Sequence, residues 1–274
     1  MERENLVNNL ISGVYTNSDK NMKQFTENWE THYQNLELIY NVHEGKINEN
    51  MERLRKDFRE KHPTKRYWLF MDDDILFNNN QVIEIALKTM QENDLALSSV
   101  YETGDKTIFN NFDSTNLSFE NITWSAGYFM LVDSEKVGLL PFDLNLPTTH
   151  GSLSDIEYCM NICINNGSIG IAPTMIYHEN KGYSPTIKNP FQITKENEAE
   201  INKDVKKFLK NLDKKYMYGM PSIEIVFLDN GKIDHNETIG HQYLKFKYPD
   251  IHNLIVSRPH YNLALKNKPF TNQI

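Results

Sequence analysis

Three consecutive aspartates, Asp72, Asp73 and Asp74, close the short apolar run Tyr67 to Met71. Carboxylates set side by side raise one another's pKa, so three in a row at a strand end call for a cation. A hard divalent ion that also bridges phosphate oxygens is the natural partner. The competing reading is a polar loop, or a helix start whose dipole favours acids. His178 ends a later apolar stretch, in Tyr177-His178-Glu179. A neutral imidazole there could ligate the same ion, or serve structure alone. Asp155 opens a helical pattern after Gly151-Ser152-Leu153-Ser154. It reads either as a general base or as a carboxylate placed for the helix N-terminus.

These residues need a scaffold that returns several strand ends to one edge. The first two-thirds of the chain alternates strand and helix signals, which predicts an α/β fold with a mostly parallel sheet flanked by helices. Strands are expected over Leu6–Tyr15, Leu36–Val42, Tyr67–Met71, Leu95–Tyr101, Trp124–Asp133 and Ile169–His178. Helices are expected over Asn21–His32, Asn48–Lys61, Gln81–Asn93 and Asp155–Asn165, from apolar residues three and four apart. Residues 102–121 are polar and Asn-rich and read as a mobile loop. Carboxylates at the carboxyl edge of such a sheet lie where α/β proteins bind ligands.

Beyond about residue 190 the rhythm changes. A long helix is expected over Thr194–Leu212, then β-like runs at Ile223–Leu228 and Leu254–Val256. The boundary is placed near residue 190, with residues 1–190 as an α/β domain and 191–274 as a C-terminal α+β appendage. His235, His241, His252 and His260 read as scattered structural histidines. Cys159 and Cys163, four apart on an apolar helix face, read as a reduced core pair.

The net charge of −8 excludes a uniformly basic nucleic-acid surface. No apolar run approaches the roughly 18 residues of a membrane span, and Met1-Glu2-Arg3-Glu4 does not resemble a signal peptide. The default compartment is the cytoplasm.

In order along the chain, VYTN at 14–17, HEG at 43–45, WLFMDDDILF at 68–77, ITWSAGYFMLVDSEKVGLLPFD at 122–143 and SDIEYCMNICINNGSIGIAPTMIYH at 154–178 resemble the family-2-type inverting glycosyltransferases of GT-A fold. The resemblance implies a hexosyl- or pentosyltransferase that takes a nucleoside-diphosphate sugar, a UDP-sugar first, and passes the sugar to a hydroxyl on a glycan, a protein or a modified nucleic-acid base. It makes residues 1–190 the catalytic domain and 191–274 an acceptor or oligomerisation element. It implies Mn2+ or Mg2+ held by Asp74, Asp72 and His178. Asp72 and Asp73 would also meet the nucleotide, as would Thr16, Asn17 and Glu44. Arg53 or Arg55 would neutralise phosphate. Asp155 would be the base, with Glu157 in reserve because Ser154 stands where the family often has Glu. Trp124 and Glu157 would lie on the acceptor side, Trp124 by stacking on a sugar or, equally, by packing in the core. His43 stands in place of the usual Asp before the HEG acid. Two rival readings are a non-catalytic nucleotide-sugar or carbohydrate-binding protein and a haloacid-dehalogenase-type phosphatase. The latter needs Thr or Val where this chain has Leu76.

Overall fold

A computed structural model describes residues 8–16, 19–42, 45–111, 117–148, 153–178 and 235–248, with isolated positions between 199 and 233. Eight strands form one sheet. They are β1 (Leu10–Thr16), β2 (Leu38–Val42), β3 (Tyr67–Asp72), β4 (Ile75–Leu76), β5 (Leu97–Thr103), β6 (Glu120–Ile122), β7 (Phe129–Asp133) and β8 (Ile169–His178). The helices are α1 (Asp19–Tyr33), α2 (Ile47–Lys61), α3 (Val82–Glu92), α4 (Lys106–Asn110), α5 (Ser134–Val137), α6 (Ser154–Ile164) and α7 (His235–Lys247).

The order across the sheet is β2-β1-β3-β7-β5-β8-β4, with β6 on β8. Strands β2, β1, β3, β5 and β8 run one way, and β7, β4 and β6 run the other. The expected mixed, mostly parallel sheet is therefore present.

The continuous apolar runs divide by alternation, since successive side chains on a strand point to opposite faces. Leu69 and Met71 of β3, with Phe129 and Leu131 of β7, pack under α1 and α3 through Phe25, Trp29, Ile83 and Leu87. Trp68 and Phe70, with Met130 and Val132, pack under α2 and α6 through Leu54, Phe58, Tyr158 and Ile162. Helix α2 comes so close to β1 that a Cβ on Gly13 would lie 2.6 Å from Phe58 Cζ and 2.8 Å from Leu54 Cδ2. Only glycine leaves that gap.

Three expectations change. The stretch 102–121 is not one loop: β5 runs on through Glu102 to Thr103, α4 follows, and β6 adds to β8. Strand β7 starts at Phe129 rather than at Trp124. The C-terminal part contains a helix, α7, where the sequence showed no period. It docks on α6 through Leu244 and Tyr248 against Ile156, Met160 and Leu146. The helix expected at 194–212 lies almost wholly outside the described residues, and the strands expected at 223–228 and 254–256 lie entirely outside them. Among the described residues no helix is long and apolar enough to cross a membrane.

Candidate metal centre and active site

The triplet occupies the tight turn between β3 and β4. Strand β4 pairs with the end of β8, and Ile75 faces His178 in that ladder. A two-residue strand thus folds Asp72 and Asp74 back over the histidine. Ligand atoms of Asp72, Asp74 and His178 lie within 4.8 Å of one another. His178 Nε2 is 3.1 Å from Asp74 Oδ1 and 3.9 Å from Asp72 Oδ2.

The histidine ring is held from behind. Its Nδ1 lies 2.5 Å from Glu102 Oε2, and both side chains are buried. Tyr128 packs against the ring at a centroid distance of 5.1 Å, and its hydroxyl donates to the Val100 carbonyl.

The electrostatics show a site short of positive charge. Burial holds the Asp72 carboxyl well above the ordinary value, and the charge of Asp74 adds to that rise while His178 opposes it. Burial works against a charge on His178, but hydrogen bonds to Asp74 and Glu102 outweigh it and push its pKa up to about 10. Asp72 Oδ1 is buried without a hydrogen-bond partner. An orphaned carboxylate oxygen beside a second carboxylate and an imidazole fits a divalent cation. Two hard oxygens with one nitrogen suit Mn2+ better than Mg2+, which favours an all-oxygen shell.

Asp155 sits in the first turn of α6, after Leu153, whose φ of 65° is left-handed. Its Oδ2 accepts from the Gly127 N–H at 3.0 Å and its Oδ1 from the Ile156 N–H at 2.8 Å. Gly127 also faces the Tyr15 hydroxyl, and Tyr15 is the register partner of Asp72. The charge of Asp155 reaches Asp72 and contributes to its raised pKa. The base candidate and the metal cluster therefore share one edge.

Other expected residues are placed differently. Asp73 lies outside the metal cluster and accepts from the Thr16 hydroxyl and, at 3.4 Å, from Asn21 Nδ2. It pins the end of β1 to the start of α1. Asn17 and Glu44 lie outside the described residues.

Arg55 is not brought to the site. Its guanidinium is buried, forks onto Glu52 at 2.7 and 2.8 Å, and donates to the Gly138 carbonyl at 2.7 Å. Gly138 neighbours Trp68, at the opposite edge of the sheet. Asp72 is four residues further along β3, about 13 Å at the usual rise per residue. Arg53 is exposed on α2.

Glu157 is also withdrawn from the cleft. Its side chain is 0% exposed. Its Oε1 accepts from Lys247 Nζ at 2.6 Å and from the Tyr248 hydroxyl at 2.5 Å. One turn geometry explains the difference, because positions two apart on a helix point about 200° apart. Asp155 faces the cleft, and Glu157 faces α7. Trp124 is half-buried and packs against both the core under α2 and the cluster under α7.

Sequence reasoning missed Glu102, which it assigned to a loop, and Lys247. The only available signal for Glu102 was that it continues the apolar run ending at Tyr101.

No family model matches the chain, and no curated protein matches it. Several solved structures are similar at low identity. The mannosyltransferase PcManGT from Pyrobaculum calidifontis, in complex with GDP-Man and Mn2+, is 13% identical, with 90% of this chain and 74% of that one covered and a TM-score of 0.45. The protein A197 from STIV is 9% identical over 62% of this chain and 85% of that one, with a TM-score of 0.44. A glycosyltransferase involved in glycosylation of the major capsid of PBCV-1 is 11% identical over 64% and 95%, with a TM-score of 0.36. Likenesses this distant decide neither fold nor function, which rest on the sheet and the residues at its edge.

Proposed function

We propose that this chain is a metal-dependent glycosyltransferase of the GT-A type, inverting and family-2-like. It would transfer a sugar from a nucleoside-diphosphate sugar to an acceptor hydroxyl. One observation carries the reading. Asp72, Asp74 and His178 converge at the carboxyl edge of the sheet, beside a carboxylate, Asp155, held by two backbone N–H groups.

In this reading Asp72, Asp74 and His178 hold Mn2+ or Mg2+. The ion's contribution, when bound, is to neutralise the departing diphosphate. The ends of β1 and β2, with Thr16, Asn17 and Glu44, line the nucleotide pocket, and Asp73 keeps Thr16 in place. Asp155 accepts the proton of the acceptor hydroxyl as that oxygen bonds to the anomeric carbon. The bond from that carbon to the diphosphate oxygen breaks on the opposite face, which inverts the centre. The two N–H donors aim the Asp155 carboxylate, as a base requires. Arg55 and Glu157 have no part in this scheme, since both are buried in structural pairs. Trp124 and α7 border the acceptor side.

The test is release of nucleoside diphosphate from a panel of UDP- and GDP-sugars with Mn2+ against EDTA. Asp155→Asn should keep donor binding and lose roughly 10²- to 10⁴-fold in transfer, the usual worth of a general base. Near-normal transfer by that variant would remove Asp155 from the role. Donor binding without turnover in the native protein would favour the non-catalytic reading.

A further inference from the structure

Strand β8 carries a register shift against β5. Val100 pairs with Ala172, but Tyr101 pairs with Met175, so Pro173 and Thr174 are extra on the β8 side. Beyond the shift Glu102 pairs with Ile176. His178 is two residues further along the same face. Had the register run on unshifted, Glu102 would sit opposite Thr174, about 7 Å further from His178 along the strand. The bulge brings a buried carboxylate to the back of the imidazole. A buried glutamate is costly unless it is paired, and here its Oε2 lies 2.5 Å from His178 Nδ1.

We propose that Glu102 is the positioning residue of the metal centre. It holds His178 with the proton on Nδ1, so that Nε2 offers its lone pair on the side of Asp72 and Asp74. A carboxylate behind a ligating imidazole fixes the tautomer and ring orientation and raises ligand basicity. Tyr128 closes the ring's face, leaving rotation about the Cβ–Cγ bond to be set by Glu102. The inference rests on the metal reading of Asp72, Asp74 and His178, and goes beyond it in naming what selects the ligand atom.

The experiment is Mn2+ binding to the metal-stripped full chain, followed by the electron paramagnetic resonance signal of free Mn2+, with no sugar nucleotide present. Glu102→Gln retains an acceptor but loses the charge, and should weaken Mn2+ binding roughly tenfold. Glu102→Leu loses both, and should weaken it roughly 100-fold. In a His178→Ala background Glu102→Gln should change affinity less than about twofold, because a residue acting through the imidazole has nothing left to act on. Wild-type affinity in Glu102→Gln overturns the proposal, as does an undiminished loss in the His178→Ala background. If Glu102→Leu does not fold, the Glu102→Gln cycle decides alone. No Mn2+ binding by the unmodified protein overturns the metal reading and this inference with it. Binding that is indifferent to Glu102 overturns this inference only.

Discussion

Two clusters of buried and half-buried carboxylates lie on either side of α6, and they balance their charge differently. On the α7 side, Asp143 and Glu157 share Lys247, with the Tyr243 and Tyr248 hydroxyls donating to them. At the carboxyl edge, Asp72, Asp74 and Glu102 surround His178. Each cluster leaves one carboxylate oxygen unpartnered, Glu157 Oε2 and Asp72 Oδ1, so hydrogen-bond satisfaction does not separate them. The resident cation does. The first cluster carries its own lysine and acts as a clamp between α7 and α6. The second has three acids around one imidazole and, among the described residues, no lysine or arginine paired with it, which fits the proposed cation. An acidic cluster is a candidate cation site where no lysine or arginine among the described residues already fills it.

That contrast can be broken by exchanging the expected consequences. The largest effect belongs to Asp74→Asn. Losing a charged ligand should reduce Mn2+-dependent turnover of a donor sugar by roughly 10³-fold, several kcal/mol of charge stabilisation. The same substitution removes the pair with His178 but also the repulsion of Asp72, so the urea midpoint of the metal-free protein should change little. If turnover survives, the edge cluster is not a cation site.

On the α7 side the pattern reverses. Lys247→Met should cost about 2 kcal/mol of stability, discounted from the usual cost of breaking a buried pair because the lysine is partly exposed. Mn2+ affinity should be unchanged. Adding Glu157→Gln should recover most of the loss, as read from urea midpoints. A Lys247→Met variant that unfolds like the native chain would reduce the clamp to a surface contact.

The third prediction concerns pH. The folded-state pKa of His178 is raised from 6.5 to about 10. Its protonated form therefore stabilises the metal-free fold fully below pH 6.5, and that contribution is lost as pH rises through about 10. A cation must displace that proton, so Mn2+ affinity should increase by up to tenfold per pH unit between pH 6.5 and 8. Titrations at three pH values check the slope. A flat response would show that no proton leaves on binding.

The smallest effect is the most diagnostic. Burial and Asp74 raise the Asp72 pKa, so the ionised Asp72 opposes folding when no cation is present. Asp72→Asn should therefore raise the melting temperature of the metal-free protein. It should also abolish the additional stabilisation that Mn2+ confers on the native chain. Differential scanning fluorimetry with and without Mn2+ reads both.

Periodicity located most of the fold. Apolar spacing placed α1 through Phe25 and Trp29, and α2 through Met51, Leu54 and Phe58, because one face of each helix must be buried whatever lies opposite. The run Tyr67–Met71 announced a strand covered on both sides, and β3 is one. The acids and the histidine were legible because each ends an apolar run, which is where a parallel sheet exposes its ligand edge. Chemical type and local spacing determined that much unaided.

Only the tertiary structure decided the partners. Arg55 and Glu157 carry the charges that phosphate or a base would require, yet helix phase turns them toward Gly138 and Lys247. Glu102 looked like loop because a single acid breaks an apolar run. Its role depends on a two-residue shift in β8, a strand about seventy residues away in sequence. Helix α7 carries no strong apolar period, and it is held by Lys247 and Tyr248 reaching a carboxylate on α6. Local patterns follow from which side chains avoid water. Which buried charge meets which partner depends on long-range register, and no local window of the sequence contains it.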